Sequence, residues 1–161
     1  MARAYIHYGA CKYDPEKFKP IKNQIMWVKP KGGLWASPKD AVFGWEEWCE
    51  ASEFRERIEN ISFEFSLAPH AKILELNSAQ DLTDLPKVDI IDELRETFRS
   101  VVHLDFEKLV SSGVDAIQVN IRGEAVDEFG KSLYYVLYGW DCDSILVMNK
   151  DVIVCENFTQ F

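Results

Sequence analysis

Ile61-Ser62-Phe63-Glu64-Phe65-Ser66-Leu67 alternates apolar and polar side chains without a break. Successive strand residues point to opposite faces, so this period of two predicts a strand with Ile61, Phe63, Phe65 and Leu67 set against Ser62, Glu64 and Ser66. Pro69-His70 then turns the chain, and Ala71 to Leu76 predicts a second strand, hairpinned to the first. Working toward the N-terminus, residues 41–58 carry apolar or aromatic side chains at 45, 48, 49, 54 and 58, which fits a helix with a break. Gly32 to Pro38 is a glycine-opened strand stopped by proline, and residues 19–31 read as loop with a short strand near Ile25–Val28. Asp14 to Phe18 is a capped helical turn with Pro15 at its first position. Ala4 to Tyr8 is a short strand closed by Gly9.

Toward the C-terminus, residues 81–85 form a polar connection. Val88, Ile91, Leu94 and Phe98 then recur at three- and four-residue steps, predicting an amphipathic helix over 87–99. Residues 105–112 predict another helix, ended by Gly113 as a left-handed cap. Strands follow over 114–120, 133–138 and 144–148, with an acidic exposed stretch at 123–130, a last turn at 151–153 and a fraying tail. Strand, loop, strand, helix, hairpin, helices and strands, in that order, are α+β with largely antiparallel pairing rather than alternating βα units.

The chain has 161 residues, the size of one domain, taken here as 1–161. Hydrophobic residues at 47% and charged residues at 28% suit a folded chain rather than a disordered one. No apolar run reaches the roughly 20 residues of a membrane span. The N-terminal stretch lacks an apolar signal core, so a cytoplasmic location is expected. A net charge of −9 argues against a broad duplex-DNA or anionic-membrane surface, which needs clustered Lys and Arg. Cys11, Cys49, Cys142 and Cys155 have neither zinc-site nor redox-pair spacing and are expected as reduced thiols, and no metal is implied.

Three segments join a tight backbone to unusual side chains. In His7-Tyr8-Gly9-Ala10 a strand ends on glycine beside an aromatic and a histidine, which lets a ligand approach the backbone. The plainer alternative is a Gly turn with a solvated His. In Gly32-Gly33-Leu34-Trp35-Ala36-Ser37, Trp35 and Ser37 share a strand face. There the alternative is a core Trp and a helix-capping Ser. In Trp140-Asp141-Cys142-Asp143-Ser144 two acids share a face if extended and would stabilise positive charge; the alternative is a solvated turn. No dinucleotide-binding glycine motif, no Walker loop and no zinc-protease motif occurs. Gly32-Gly33 alone is weak evidence for phosphate binding.

Taken in order, these segments resemble the ADP-ribosyltransferase fold: aromatic-Gly at a strand end, Gly-Gly-Leu-Trp-x-Ser, Gly113-Val114-Asp115-Ala116-Ile117, then Asp143 opening Ser-Ile-Leu-Val-Met. The resemblance runs from about residue 5 to residue 153 and is nearest to small bacterial and phage transferase-like proteins. It implies split antiparallel β-sheets flanked by helices, with NAD+ as the substrate in the cleft between them. Tyr8 falls where the family has His or Arg, and His7, one position early, is expected to point away. The resemblance gives Gly9 to the nicotinamide amide, Trp35 to the nicotinamide ring, Ser37 to the second-motif hydroxyl and Trp45 to a second stacking aromatic. The catalytic acid is Asp143, or Asp141 if the register shifts by two, and Ser144 occupies the neighbouring register.

The chemistry so implied is cleavage of the nicotinamide–ribose bond. A carboxylate favours the oxocarbenium-like transition state over the neutral sugar, and a Trp face suits a cationic ring. ADP-ribose would pass to an acceptor that is more readily a protein than a nucleic acid. The alternative is an inactive transferase fold acting as a binding or protein-interaction module, favoured by Tyr8 and by Asp in place of Glu. An RNA 2′-phosphate transferase ranks last because the chain shows no basic groove.

Overall fold

A computed structural model describes residues 3–24, 27–54, 61–88, 103–120 and 140–155. The strands are β1 (Ala4–Tyr8), β2 (Leu34–Pro38), β3 (Ser62–Leu67), β4 (Ile73–Leu76), β5 (Ala116–Val119), β6 (Ser144–Val147) and β7 (Ile153–Val154). Two α-helices occur among the described residues, α1 (Trp45–Ala51) and α2 (Phe106–Ser111), with 3-10 turns at Pro15–Lys17, Ala79–Leu82 and Lys150–Val152. The architecture is α+β. The expected strand over 133–138 and nearly all of the expected helix over 87–99 lie outside the described residues, as do part of the 25–28 segment and the tail.

The strands form one mixed seven-stranded sheet, ordered β4-β5-β6-β2-β1-β3-β7. Pairing is antiparallel except between β4 and β5, which run parallel with Ile73 opposite Ala116. The pairing is thus largely antiparallel, as expected; the one parallel pair departs from the wholly antiparallel sheets that the resemblance implied, and the reason is the connection. Residues 77–115, containing α2, provide the long crossover that a parallel pair requires. The expected hairpin of β3 with β4 is also absent: β3 pairs with β1 and β7, and β4 with β5.

The sheet is sharply bent. Between β3 and β4 in the order stand β1, β2, β6 and β5, so a flat sheet would separate them by about 24 Å. The link from Leu67 to Ile73 spans at most about 20–22 Å when fully extended. Cross-contacts locate the fold-over. Tyr5 Oη on β1 donates to Gln118 Oε1 on β5 at 3.1 Å, and Arg3 meets Glu75 on β4 at 3.4 Å. The half-sheet of β4, β5 and β6 therefore faces the half formed by β1, β3 and β7. Tyr5, Phe65, Leu67, Ala116, Ile145 and Val147 fill the space between them. On the outer side of β5 and β6, Ile117, Val119, Leu146 and Met148 pack under Phe106 and Leu109 of α2. Being buried on both sides, β5 and β6 are almost continuously apolar.

β2 is the corner. Leu34 to Ala36 pair with β6, whereas Ser37 and Pro38 pair with Ile6 and Tyr5 of β1. Two glycines bring the chain into this corner. Gly32 has φ +84°, and a Cβ there would lie 2.2 Å from the Pro20 carbonyl oxygen; Gly33 has φ +71° and its Cβ would meet the Val147 carbonyl at 2.8 Å. Both positions require glycine for close backbone packing. Gly113, at φ +90°, follows α2 as the expected left-handed cap.

Candidate functional site

The β1–β2 ladder stops at Ile6 opposite Ser37, and the strands part beyond it. A cleft of about 590 Å³ opens at this point, within the usual range for ligand pockets. The end of β1 contributes His7, Tyr8 and Gly9, and β2 contributes Trp35, Ala36 and Ser37. Trp45 and Trp48 of α1, Phe54, Lys29, Asp141, Cys142 and Ser144 complete the lining. The sequence candidates Tyr8, Gly9, Trp35, Ser37, Trp45 and Asp141 are thus brought together, although they come from four separate parts of the chain. Asp143 is not among the lining residues.

Local chemistry explains each position. Gly9 ends β1 at φ +103° with its N–H donating to the Ile61 carbonyl at 2.8 Å, and a Cβ there would meet nothing within 4 Å. The backbone is therefore open to the cleft. Ser37 is 4% exposed, and its Oγ accepts the Trp45 N–H at 3.0 Å, tying β2 to the first turn of α1. Glu47 accepts the Gly44 N–H at 2.8 Å in the same turn. The helix-capping alternative for Ser37 is thereby realised, and its hydroxyl proton remains available to a ligand. Trp45 and Trp48, three residues apart on one helix face, stack at 5.0 Å, and Phe54 tilts against Trp48 at 5.6 Å.

Trp35 divides its faces. Its ring meets Trp140 edge-on at 4.6 Å, and the Lys29 ammonium lies 4.9 Å from its centroid. Trp140 belongs to the core, so Trp35 is part core residue and part cleft wall. Burial lowers the Lys29 pKa, opposed by the negative charge of Asp141. Tyr8 Oη donates to Glu46 Oε2 at 3.4 Å. Burial, then the Glu46 carboxylate, pushes the Tyr8 phenol up to about 12, so it is neutral at physiological pH.

Two expectations need correction. His7 was expected to point away from the site, yet it lines the cleft, with Nδ1 2.6 Å from the Trp35 carbonyl oxygen. Where the ladder ends, its ring takes the place of a backbone rung. Asp141 and Asp143 were expected to share a face. The chain bends at 142–143, leaving Asp141 exposed in the cleft and Asp143 buried at 4% exposure. Asp143 precedes β6 by one residue; within β6, Ile145 and Val147 face the inner cluster, whereas Ser144 has the parity of Leu146 on the outer side. The Asp143 N–H donates to the Phe43 carbonyl at 2.8 Å.

Cys142 lines the cleft, but burial pushes its thiol up to about 12, which removes it as a nucleophile at neutral pH. His103 is buried away from the cleft, and its pKa is lowered by that burial. Among the described residues no group of three or more His, Cys, Asp or Glu is arranged to hold a metal, and no helix is long and apolar enough to cross a membrane. Sequence reasoning missed Lys29, Trp48 and Phe54. The three-residue interval of Trp45 and Trp48 was the available signal for Trp48; Lys29 lies in an aperiodic loop and gave none. Comparison with protein-family models, curated proteins and solved structures finds no match to this chain.

Proposed function

We propose that the cleft binds NAD+ and that the protein is an ADP-ribosyltransferase-like enzyme, cleaving the nicotinamide–ribose bond and passing ADP-ribose to an acceptor. The observation that carries this reading is the convergence of Tyr8, Gly9, Trp35, Ser37, Trp45 and Asp141 on one cleft. The bent sheet, opened where β1 leaves β2, supports a split-sheet arrangement of the transferase type. Of the two candidate acids, Asp141 is the one that reaches the cleft. A carboxylate about 4 Å from the developing cation contributes up to roughly 4 kcal/mol at an effective dielectric of about 20. Because Asp141 is exposed, about a hundredfold in rate is the fitting expectation. Gly9 leaves room for the carboxamide beside its backbone, and the aromatic walls hold the ring.

The second reading is a binding module of the same fold. It is favoured by the burial of Asp143 outside the lining and by the Lys29 ammonium already over Trp35. Incubation with NAD+, with free nicotinamide measured over time, separates the two. Release above the buffer rate that falls in Asp141→Asn supports the enzyme. No release, with NAD+ bound at the cleft, supports the module.

A further inference from the structure

Lys29 is the single Lys or Arg among the described residues lining the cleft. The charges around it are unfavourable to an anion: Asp141 lies in the same lining, Glu46 sits at the Tyr8 hydroxyl, and the chain carries a net charge of −9. The side chain is half-buried, with the ammonium 4.9 Å from the centroid of the Trp35 ring. Its backbone is fixed as well, since the Lys29 carbonyl accepts from Gln24 Nε2 at 2.8 Å. An ammonium held this way has lost part of its hydration, and the exposed Asp141 returns only part of that loss. A phosphate oxygen supplies a full charge-assisted hydrogen bond in the same place.

We propose that Lys29 anchors the phosphates of a nucleoside-diphosphate ligand in the cleft and, on doing so, leaves Asp141 free to face the sugar. The inference rests on the transferase reading for the identity of the sugar chemistry, but the anion site stands on its own residues. The Asp141 charge acts on Lys29 within the same cleft, and with ligand bound the cation turns to phosphate. Asp141 is then a competitor for Lys29, which gives the two residues opposite effects on binding. A lysine that merely packs on Trp35 would not produce that opposition.

The test is calorimetric titration with ADP and with adenosine, which share the base and sugar and differ in the two phosphates. Wild type is expected to bind ADP about tenfold or more tighter than adenosine. Lys29→Met keeps the apolar stem and should erase that difference, while Lys29→Arg should restore most of it. Asp141→Asn should tighten ADP binding by about two- to tenfold, and the gain should vanish in the Lys29→Met background. Equal ADP affinity in wild type and Lys29→Met overturns the proposal, as does a wild type that does not prefer ADP to adenosine or binds neither. Were Lys29→Met to misfold on a thermal melt, Asp141→Asn decides alone, and unchanged or weaker ADP binding overturns the proposal. Nicotinamide release is read separately. Lys29-dependent ADP binding without release ends the transferase reading and keeps the anchor. Release with an unaltered KM for NAD+ in Lys29→Met does the reverse.

Discussion

The Nδ1 atom of His7 lies 2.6 Å from the carbonyl oxygen of Trp35, one residue past the last backbone pairing of β1 with β2. With the Nδ1–H tautomer, the ring donates to a carbonyl that the parted ladder would otherwise leave unpaired. The strands stay joined through a side chain, which holds them further apart than a backbone rung would. His7→Ala should cost about 1 kcal/mol for the lost bond and lower the melting temperature by roughly 2–4 °C. NAD+ or ADP affinity should fall as well, because the cleft wall at Trp35 loses its anchor. A melt and a titration that both match wild type would remove His7 from the site's framework.

Gly9 and Gly32 both have positive φ, yet their substitutions should separate stability from binding. Gly32→Ala drives a Cβ into the Pro20 carbonyl at 2.2 Å and should destabilise by about 3 kcal/mol or more, seen as a shifted denaturation midpoint. At Gly9 no atom lies within 4 Å of the added Cβ, so Gly9→Ala should cost only the backbone strain, about 1–2 kcal/mol. The new methyl would stand where a ligand meets the backbone. Gly9→Ala should therefore weaken nucleotide binding out of proportion to its effect on folding.

The alternating run at 61–67 and the apolar runs at 116–119 and 144–147 were legible because strand periodicity and continuous burial are local properties. Partner choice was not. Pro69-His70 between two strands suggests a hairpin, but β3 and β4 pair elsewhere, because a bent sheet lets a five-residue link join its two halves. The site was legible as far as glycines and aromatics at strand ends announce it. Lys29 was hidden because the fold of the 25-residue connection between β1 and β2 carries it to Trp35. The contrast between Asp141 and Asp143 was hidden because the bend at 142–143 breaks the alternation that would have aligned them.

Tyr8 should titrate late. Burial and Glu46 raise its phenol from 10.0 to about 12, so between those pH values the unfolded chain releases this proton and the folded chain keeps it. The stability that Tyr8 contributes is therefore complete below pH 10 and declines as pH rises toward 12. Phenolate absorbance, taken as the difference between wild type and Tyr8→Phe, should appear near pH 12, and Glu46→Gln should move it lower. An ordinary Tyr8 titration in the folded protein would count against both the burial and the Glu46 contact.

The thiols should divide by environment. All four are free; Cys11 and Cys155 are exposed, while Cys49 and Cys142 are 0% and 5% exposed. Alkylation near pH 8 without reductant should label Cys11 first and Cys155 more slowly, since burial raises the Cys155 thiol. Cys49 and Cys142 should react only after unfolding, the latter because its thiol is pushed up to about 12. Mass spectrometry at timed intervals reads the order directly. Early labelling of Cys142 would reopen its candidacy as a nucleophile in the cleft.

The two aspartates give the sharpest contrast. Asp141 is exposed in the cleft, so Asp141→Asn should alter stability by no more than about 0.5 kcal/mol. If its carboxylate stabilises the oxocarbenium, nicotinamide release should fall by about a hundredfold. Asp143 is 4% exposed, and its backbone N–H bonds the Phe43 carbonyl. Asp143→Asn changes a buried polar group and should cost about 1–3 kcal/mol, while release per folded molecule stays near wild type. Chemical denaturation measures the first quantity and initial rates corrected for folded fraction measure the second. The opposite pattern, a folded Asp143→Asn that releases no nicotinamide beside an unimpaired Asp141→Asn, would move the catalytic acid to Asp143 and require the 141–144 segment to rearrange on binding. Wild-type rates in both variants would leave the cleft without a catalytic carboxylate at either position, and the binding-module reading would then stand.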